Sequence, residues 1–257
     1  MATTAQLTRV GRYDVEIEQY GSGEPLLYLH DFDGPPKDAP YVEALARSRR
    51  VIVPAHPGFG CSTEDRAIHD MLNVVVFYQE LLEALGTPAV DVVGHSLGGM
   101  FAAELAAVSP GSVRRLVLAA PLGLWLDATP VPDFLPSGGN ALARLLWADA
   151  STAVLPASGG PTPADAEAAA EHTANIAAST NYLWPLPERG LRYRLHRVAA
   201  PTLLLWGDSD RIVGPEYREA FHAAIKGSRV EIIADAGHLA PREQPAAFAQ
   251  AVLDFLA

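Results

Sequence analysis

The stretch Val90-Asp91-Val92-Val93-Gly94-His95-Ser96-Leu97-Gly98-Gly99 constrains this chain more than any other. A β-branched apolar run of the kind that forms a buried strand breaks there into a serine near glycines and passes into the Ala-rich helical stretch 100–108. A serine hydroxyl is a poor nucleophile unless it is pushed out of the fold and aimed at both a base and backbone N–H donors. A sharp strand-to-helix turn achieves this at the expense of strain in the serine backbone. Gly94 and Gly98 lack a Cβ, so the strand end and the helix start can pass close to each other. Leu97 then offers an N–H at the helix N-terminus, where negative charge is favoured. Without any chemistry, the same residues would make an ordinary turn before a buried helix. The strand before and the helix after favour the nucleophile elbow.

Further buried strands are needed to seat such a turn, and the chain supplies them. Pro25–Leu29, 113–120 and 201–207 are apolar runs of the kind buried in a parallel sheet, Arg50–Pro54 and 229–234 read as further strands, and Tyr13–Tyr20 alternates and predicts one wet face. Between them, helical spacing runs through 38–48, with Tyr41, Val42, Leu45 and Ala46 as its apolar residues. It recurs in 67–85, with Leu72, Val75, Val76, Leu81, Leu82 and Leu85, and stops at Gly86. An amphipathic helix over 244–256 closes the chain. At 257 residues and 49% hydrophobic, one large α/β core with an insertion is the natural fit. The insertion is expected over 122–197, where the pattern changes to proline and glycine clusters with helical composition at 140–152 and 163–179. Its basic stretch, Arg189, Arg192, Arg194, His196 and Arg197, predicts solvated faces or surface ion pairs.

Charge and cysteine content narrow the function classes. A formal net charge of −11 argues against nucleic acid and suits an enzyme of uncharged small molecules. The first six residues carry no basic patch followed by an apolar run, and no stretch approaches a membrane span, so a cytoplasmic location without membrane partners is expected. Cys61 is the only cysteine, which rules out an internal disulfide and a Cys-based metal cage. It reads as a small packing residue in a loop.

Taken together, these residues resemble the α/β-hydrolase superfamily, in its serine-nucleophile branch of esterases and C–C hydrolases, from about Tyr13 onward. The resemblance implies a mostly parallel central sheet flanked by helices, with a small helical cap inserted after the sixth strand. The core would be residues 1–121 and 198–257, and the cap residues 122–197. In that family a His-Gly-X sequence after the strand equivalent to Pro25–Leu29 gives a second oxyanion N–H from X, which maps onto Phe32 in His30-Asp31-Phe32-Asp33-Gly34. Asp31 stands where glycine is usual. An Asp tolerates positive φ comparatively well, and in a tight turn it commonly bonds to backbone two residues on, so it could hold Phe32 in place. His56-Pro57-Gly58-Phe59-Gly60-Cys61-Ser62 resembles a structural loop of the family, which makes His56 structural.

The family's acid lies in a Gly-x-x-Asp arrangement, selecting Asp210 with Asp208 in reserve, and its base follows Gly237 as His238. The order serine, acid, histidine agrees. His30, Asp31, His95, Trp125, Trp147, Trp184 and Leu239 are candidates for the substrate pocket, although the cap's Trp residues could equally form its own core. The function this implies is hydrolysis of a carboxylic ester through Ser96, His238 and Asp210, with the N–H groups of Leu97 and Phe32 as oxyanion hole and neither cofactor nor metal. A C–C hydrolase of ring-cleavage diketones, or a lactone or thioester hydrolase, is the alternative. In the C–C group Asn often precedes the serine and Trp often follows the base, where this chain has His95 and Leu239. Ser96 argues against the carboxylate-nucleophile epoxide hydrolases and dehalogenases, while haloperoxidase or lyase chemistry and homo-oligomerisation stay open.

Overall fold

The computed structural model describes residues 5–37, 39–65, 68, 70–137, 139–153 and 163–257. Eight strands form one sheet: β1 (Gln6–Val10), β2 (Tyr13–Tyr20), β3 (Pro25–Leu29), β4 (Arg50–Pro54), β5 (Val90–His95), β6 (Val113–Ala119), β7 (Thr202–Gly207) and β8 (Arg229–Ile233). Their spatial order is β1-β2-β4-β3-β5-β6-β7-β8, with the β1–β2 and β2–β4 pairings antiparallel and the remaining five parallel. β5 therefore lies inside the sheet, and the Ser96 turn emerges at the carboxyl ends of the parallel strands, where open α/β sheets place their sites.

Alternate residues of each central strand feed two separate cores. Leu26 and Tyr28 of β3, Val93 of β5 and Leu203 of β7 point toward α1 (Pro40–Ala46) and the C-terminal helix. Leu27, Leu29, Val92 and Leu204 point to the opposite face, beneath α2 (Met71–Ala84) and α3 (Leu97–Val108). This is the period-two geometry of strands covered on both sides. All of these residues are buried, so truncating any one of the leucines to alanine should destabilise the fold by about 2–5 kcal/mol.

After β6 the chain departs into α4 (Gly139–Leu146) and α5 (Pro163–Leu183) before returning as β7. The remaining helices are α6 (Pro215–Ala224), α7 (Ala240–Glu243) and α8 (Pro245–Leu256). The helix expected over 140–152 is thus the shorter α4 followed by a separate turn, and the one over 163–179 runs on to Leu183.

Several expectations need correction. β1 was not foreseen, because as an exposed edge strand it buries only Val10 and carries no alternation. The helix expected from Ala67 begins at Met71, capped by Asp70 accepting from the Leu72 N–H at 2.9 Å; Ala67, like Asp38 and residues 1–4, lies outside the described residues. Its buried stripe is Met71, Val74, Val75, Phe77, Tyr78, Leu81 and Leu82, while Leu72 and Val76 face outward. Cys61 is exposed, since its neighbour Ser62 takes the inner position, donating to the Ala55 carbonyl at 2.9 Å. The basic stretch is not merely a wet face. Arg194 makes a two-pronged pair with the buried Glu104 of α3 at 2.5 and 2.7 Å, Arg189 donates to the carbonyls of Tyr182 and Trp184, and Arg197 to that of Ala107.

Candidate active site

Ser96 has φ +54° and ψ −113°, a conformation that costs a non-glycine residue about 1–3 kcal/mol. The surrounding backbone holds it there. The Ser96 N–H donates to the Ala119 carbonyl of β6 at 3.0 Å, and the Ser96 carbonyl accepts from Met100 and Leu122 at 3.1 and 3.0 Å. A Cβ on Gly94 would overlap the Gly98 carbonyl, and one on Gly98 would overlap the carbonyls of Leu29 and His30. The absent side chains let the Gly98 N–H reach the His30 carbonyl at 2.9 Å, which places the end of β3 directly beside the turn.

Two loops from distant parts of the sequence meet the serine. His238, between β8 and α7, sets Nε2 2.8 Å from Ser96 Oγ and Nδ1 2.9 Å from Asp210 Oδ2. The other Asp210 oxygen accepts the N–H groups of Ile212 and Val213 at 2.8 and 3.0 Å, fixing the carboxylate. With Nδ1–H donated to that carboxylate, Nε2 is the free acceptor for the serine proton. Asp208 points elsewhere. It accepts from Ser209 Oγ and from the Asp235 and Ala236 N–H groups at 2.9, 3.1 and 3.3 Å. Burial works against its charge, but these bonds outweigh it and hold the carboxyl below its ordinary range.

The backbone N–H groups of Leu97 and Phe32 donate to no protein acceptor among the described residues, as expected at a helix start and a loop aimed into a site. The Phe32 ring packs against Phe134 and lies over the His238 ring, at centroid distances of 4.9 and 6.5 Å. Ser96, His238 and Phe32 are all buried.

The loop carrying Phe32 rests on histidines and ions. His30 donates from Nδ1 to the Asp31 carbonyl and accepts the His56 N–H at Nε2, while His56 Nε2 donates to the His30 carbonyl at 2.9 Å and Nδ1 accepts from Tyr78 at 2.6 Å. Burial depresses both rings, His30 to about 4, so both stay neutral in the tautomers these bonds require. Asp31 is not among the positive-φ residues, so its replacement of glycine needs no backbone tolerance. Its Oδ1 accepts the Asp33 N–H at 2.8 Å, the local turn expected from the sequence. Burial alone would raise the Asp31 carboxyl; the Arg242 guanidinium at 3.0 Å, His95 at 3.4 Å and that N–H together drive it well below the usual carboxylate range.

Arg242, a residue the sequence reading passed over, also holds Asp33 at 3.0 Å. Two carboxylates in a loop entering the interior demand a cation, and that requirement was the one available clue. His95 donates from Nε2 to the His238 carbonyl at 2.8 Å, so it too links the base loop to Asp31.

The segment between β6 and β7 is fastened to all of these loops. Arg211, beside Asp210, donates to the carbonyls of Arg144, Trp147 and Ala148 at the end of α4. Glu243 accepts the Ala148 and Gly237 N–H groups at 2.8 and 2.6 Å. From α5, Ser179 donates to the Phe32 carbonyl at 2.7 Å, Asn175 to the Asp33 carbonyl at 2.5 Å, and His172 sits 2.6 Å from the Asp33 carboxylate.

A cleft of about 1010 Å³ runs between Asp33, Trp147, His172 and Arg242, and Ser96 is not among its lining residues. Of the residues proposed for a pocket, it takes in Trp147 alone. Leu239 is buried beside the base, Trp125 is half-buried with its Nε1 on Asp127, and Trp184 stands 58% exposed. His30, Asp31 and His95 are engaged by the contacts above. No group of three or more candidate metal ligands occurs among the described residues, and no described helix is long and apolar enough to cross a membrane.

Known proteins agree with this architecture. The 2-hydroxy-6-oxo-2,4-heptadienoate hydrolase of Pseudomonas putida is 28% identical over 274 residues, covering 100% of this chain and 97% of that protein. Lipase 3 of a Moraxella species is 25% identical over 233 residues, covering 85% of this chain and 72% of that one. The crystal structure of a Bacillus subtilis carboxylesterase superposes with a TM-score of 0.79 at 20% identity, covering 100% of this chain and 92% of that chain. The sequence model for the alpha/beta hydrolase fold matches residues 30–245, and with an eight-stranded, mostly parallel sheet beneath that match, the chain belongs to the α/β-hydrolase family.

Proposed function

We propose that the protein is a serine hydrolase that cleaves a carboxylic ester, or a related acyl bond, of a small and largely apolar substrate. Ser96 attacks the carbonyl as His238 takes its proton, Asp210 holds the imidazole and stabilises its cation, and the Leu97 and Phe32 N–H groups receive the oxyanion. Water then attacks the acyl-enzyme with the same histidine as base. One observation carries this reading: the hydrogen-bonded run from Ser96 Oγ through His238 to Asp210, beside two backbone N–H groups without protein acceptors among the described residues. Residues 122–197 act as the cap, since α4 and α5 bond to the loops that carry the reacting groups.

The apolar preference rests on Phe32, Phe134 and Leu239 around the base, and on the cations being engaged: Arg242 faces two carboxylates, while Arg189, Arg192, Arg194 and Arg197 bind the protein itself. The second reading, C–C hydrolysis of a ring-cleavage product, has the full-length similarity to a dienoate hydrolase in its favour. Such a substrate is an anion, and the commitment of these arginines weighs against it. A panel of esters, lactones, thioesters and ring-cleavage diketones, assayed with wild type and Ser96→Ala, separates the two. Turnover of the diketones far above the esters would overturn ester hydrolysis, and turnover surviving in Ser96→Ala would overturn the serine mechanism.

A further inference from the structure

We infer that Arg242 is a positioning residue for the oxyanion hole: through Asp31 and Asp33 it fixes the Phe32 N–H relative to the catalytic histidine. The inference rests on the serine-hydrolase reading and adds to it a residue that does not touch substrate.

A backbone N–H can stabilise an oxyanion only if it is already in place when charge develops, because a loop that reorganises then returns the gain. The Phe32 ring is buried against Phe134, but both residues that flank it in the loop are carboxylates. Its flanking carboxylates, Asp31 and Asp33, would repel each other and any oxyanion nearby. Arg242 turns this liability into a clamp, since its two terminal nitrogens reach Asp31 and Asp33 separately, at 3.0 Å each. Those two residues flank Phe32 on either side, so the peptide between them is held at both ends. A planar guanidinium with several fixed donors suits this task better than an ammonium.

The clamp's origin matters as much as its grip. Arg242 lies on α7 four residues beyond His238, and its N–H bonds to the Leu239 carbonyl at 2.8 Å. His95, next to the nucleophile, closes the circuit from the His238 carbonyl to the Asp31 carboxylate. The base loop and the oxyanion loop, about 200 residues apart in sequence, are thereby referred to one another by Arg242, with His95 as a second link. The carbonyl of the Asp31–Phe32 peptide accepts from His30 Nδ1 at 2.7 Å, and Ser179 holds the next carbonyl, that of Phe32, so the Phe32 N–H is the group of its peptide left without a protein acceptor among the described residues.

The experiment compares Arg242→Gln, Arg242→Lys and Asp31→Asn in the full-length protein, with kcat and KM for p-nitrophenyl butyrate expressed per site titrated by a fluorophosphonate. A second readout is affinity for an aryl trifluoromethyl ketone, whose adduct with the serine bears the oxyanion. Deleting an oxyanion donor costs about 10²–10³ in kcat, so displacing one should lower kcat about tenfold to a hundredfold in Arg242→Gln, with KM within about twofold. Affinity for the ketone should fall by the same factor as kcat/KM, and Arg242→Lys should recover part of both. If Arg242→Gln does not fold, Asp31→Asn decides: it keeps an acceptor for the Asp33 N–H but loses the ionic grip, and should move kcat and ketone affinity together by a smaller factor. Unchanged kcat per titrated site, a loss confined to KM, or a kcat loss without loss of ketone affinity overturns the proposal. A wild type unlabelled at Ser96 sinks the hydrolase reading and this one with it, whereas a labelled wild type beside unaffected variants sinks this one alone.

Discussion

The turn that carries Ser96 and the loop that carries Phe32 lie side by side, joined by the hydrogen bond from Gly98 to the His30 carbonyl, yet different forces hold them. The turn sits between a strand buried at every position and a helix whose residues Leu97–Ala107 are all buried, and backbone bonds to β6 and to Leu122 complete its support. The loop is held by the carboxylates of Asp31 and Asp33 on Arg242, by His172, and by hydroxyl and amide donors from α5. Steric exclusion fixes the nucleophile in a way that pH and salt scarcely touch. Charge and polar bonds fix the oxyanion donor, and both weaken as their partners titrate or are screened.

The contrast can be broken at several points. The largest effect is expected at its chemical centre: Ser96→Ala and His238→Ala should each lower kcat by about 10⁴ or more while thermal melts stay close to wild type, because triad members act as one unit. Retained turnover in either variant would remove the reason for comparing the two regions at all. Next, Asp210→Asn should lower kcat by about 10³–10⁴, against less than about tenfold for Asp208→Asn, whose carboxyl serves only the β8 turn. Equal losses would mean that both acids share the role.

Gly98→Ala tests the steric side directly. Its Cβ would meet two backbone carbonyls that cannot move aside, so unfolding free energy should drop by about 3 kcal/mol or more in a urea titration. A loss under about 1 kcal/mol would show the turn to be softer than its contacts suggest.

The smallest effect sharpens the polar side. The bond to Asp33 raises the His172 pKa above its ordinary value, against the opposing effect of burial. A raised folded pKa means that the stabilisation is fully present below about pH 6.5 and is lost as pH rises through the folded value. Wild type should therefore exceed His172→Ala in stability by at most about 1 kcal/mol at pH 5.5, with the gap closing by pH 9, since the pair is partly solvated. A gap that does not vary with pH would assign the residue to packing alone.

What could be read in advance follows the same division. The elbow was legible because its signals are local: an apolar run, glycines at fixed offsets and a helical stretch lie within twenty residues. Asp210 and His238 came from the resemblance to the family's Gly-x-x-Asp and Gly-His loops, with the order serine, acid, histidine in support. The supports of the Phe32 loop were not legible, because Asp31 and Arg242 are 211 positions apart and Phe32 and Ser179 are 147 apart, and nothing in a linear pattern pairs them. The exposed faces of α2 and the edge strand β1 were misread for a related reason. Leu72 and Val76 satisfy helical spacing as well as the buried residues do, and only the neighbouring elements decide which face turns inward.

The Gly98 contact also limits what heredity can alter in this chain. Where backbone lies against backbone, no exchange of side chains can widen the gap, so point mutation can abolish the meeting of β3 and the serine turn but cannot retune it. Only a change in chain length near residues 29–32 or 94–98 would reset that spacing, and it would shift the surrounding strands as well. Single substitutions that keep the fold can therefore reshape the surface that meets the substrate while the spacing between the nucleophile turn and its neighbouring strand stays as it is.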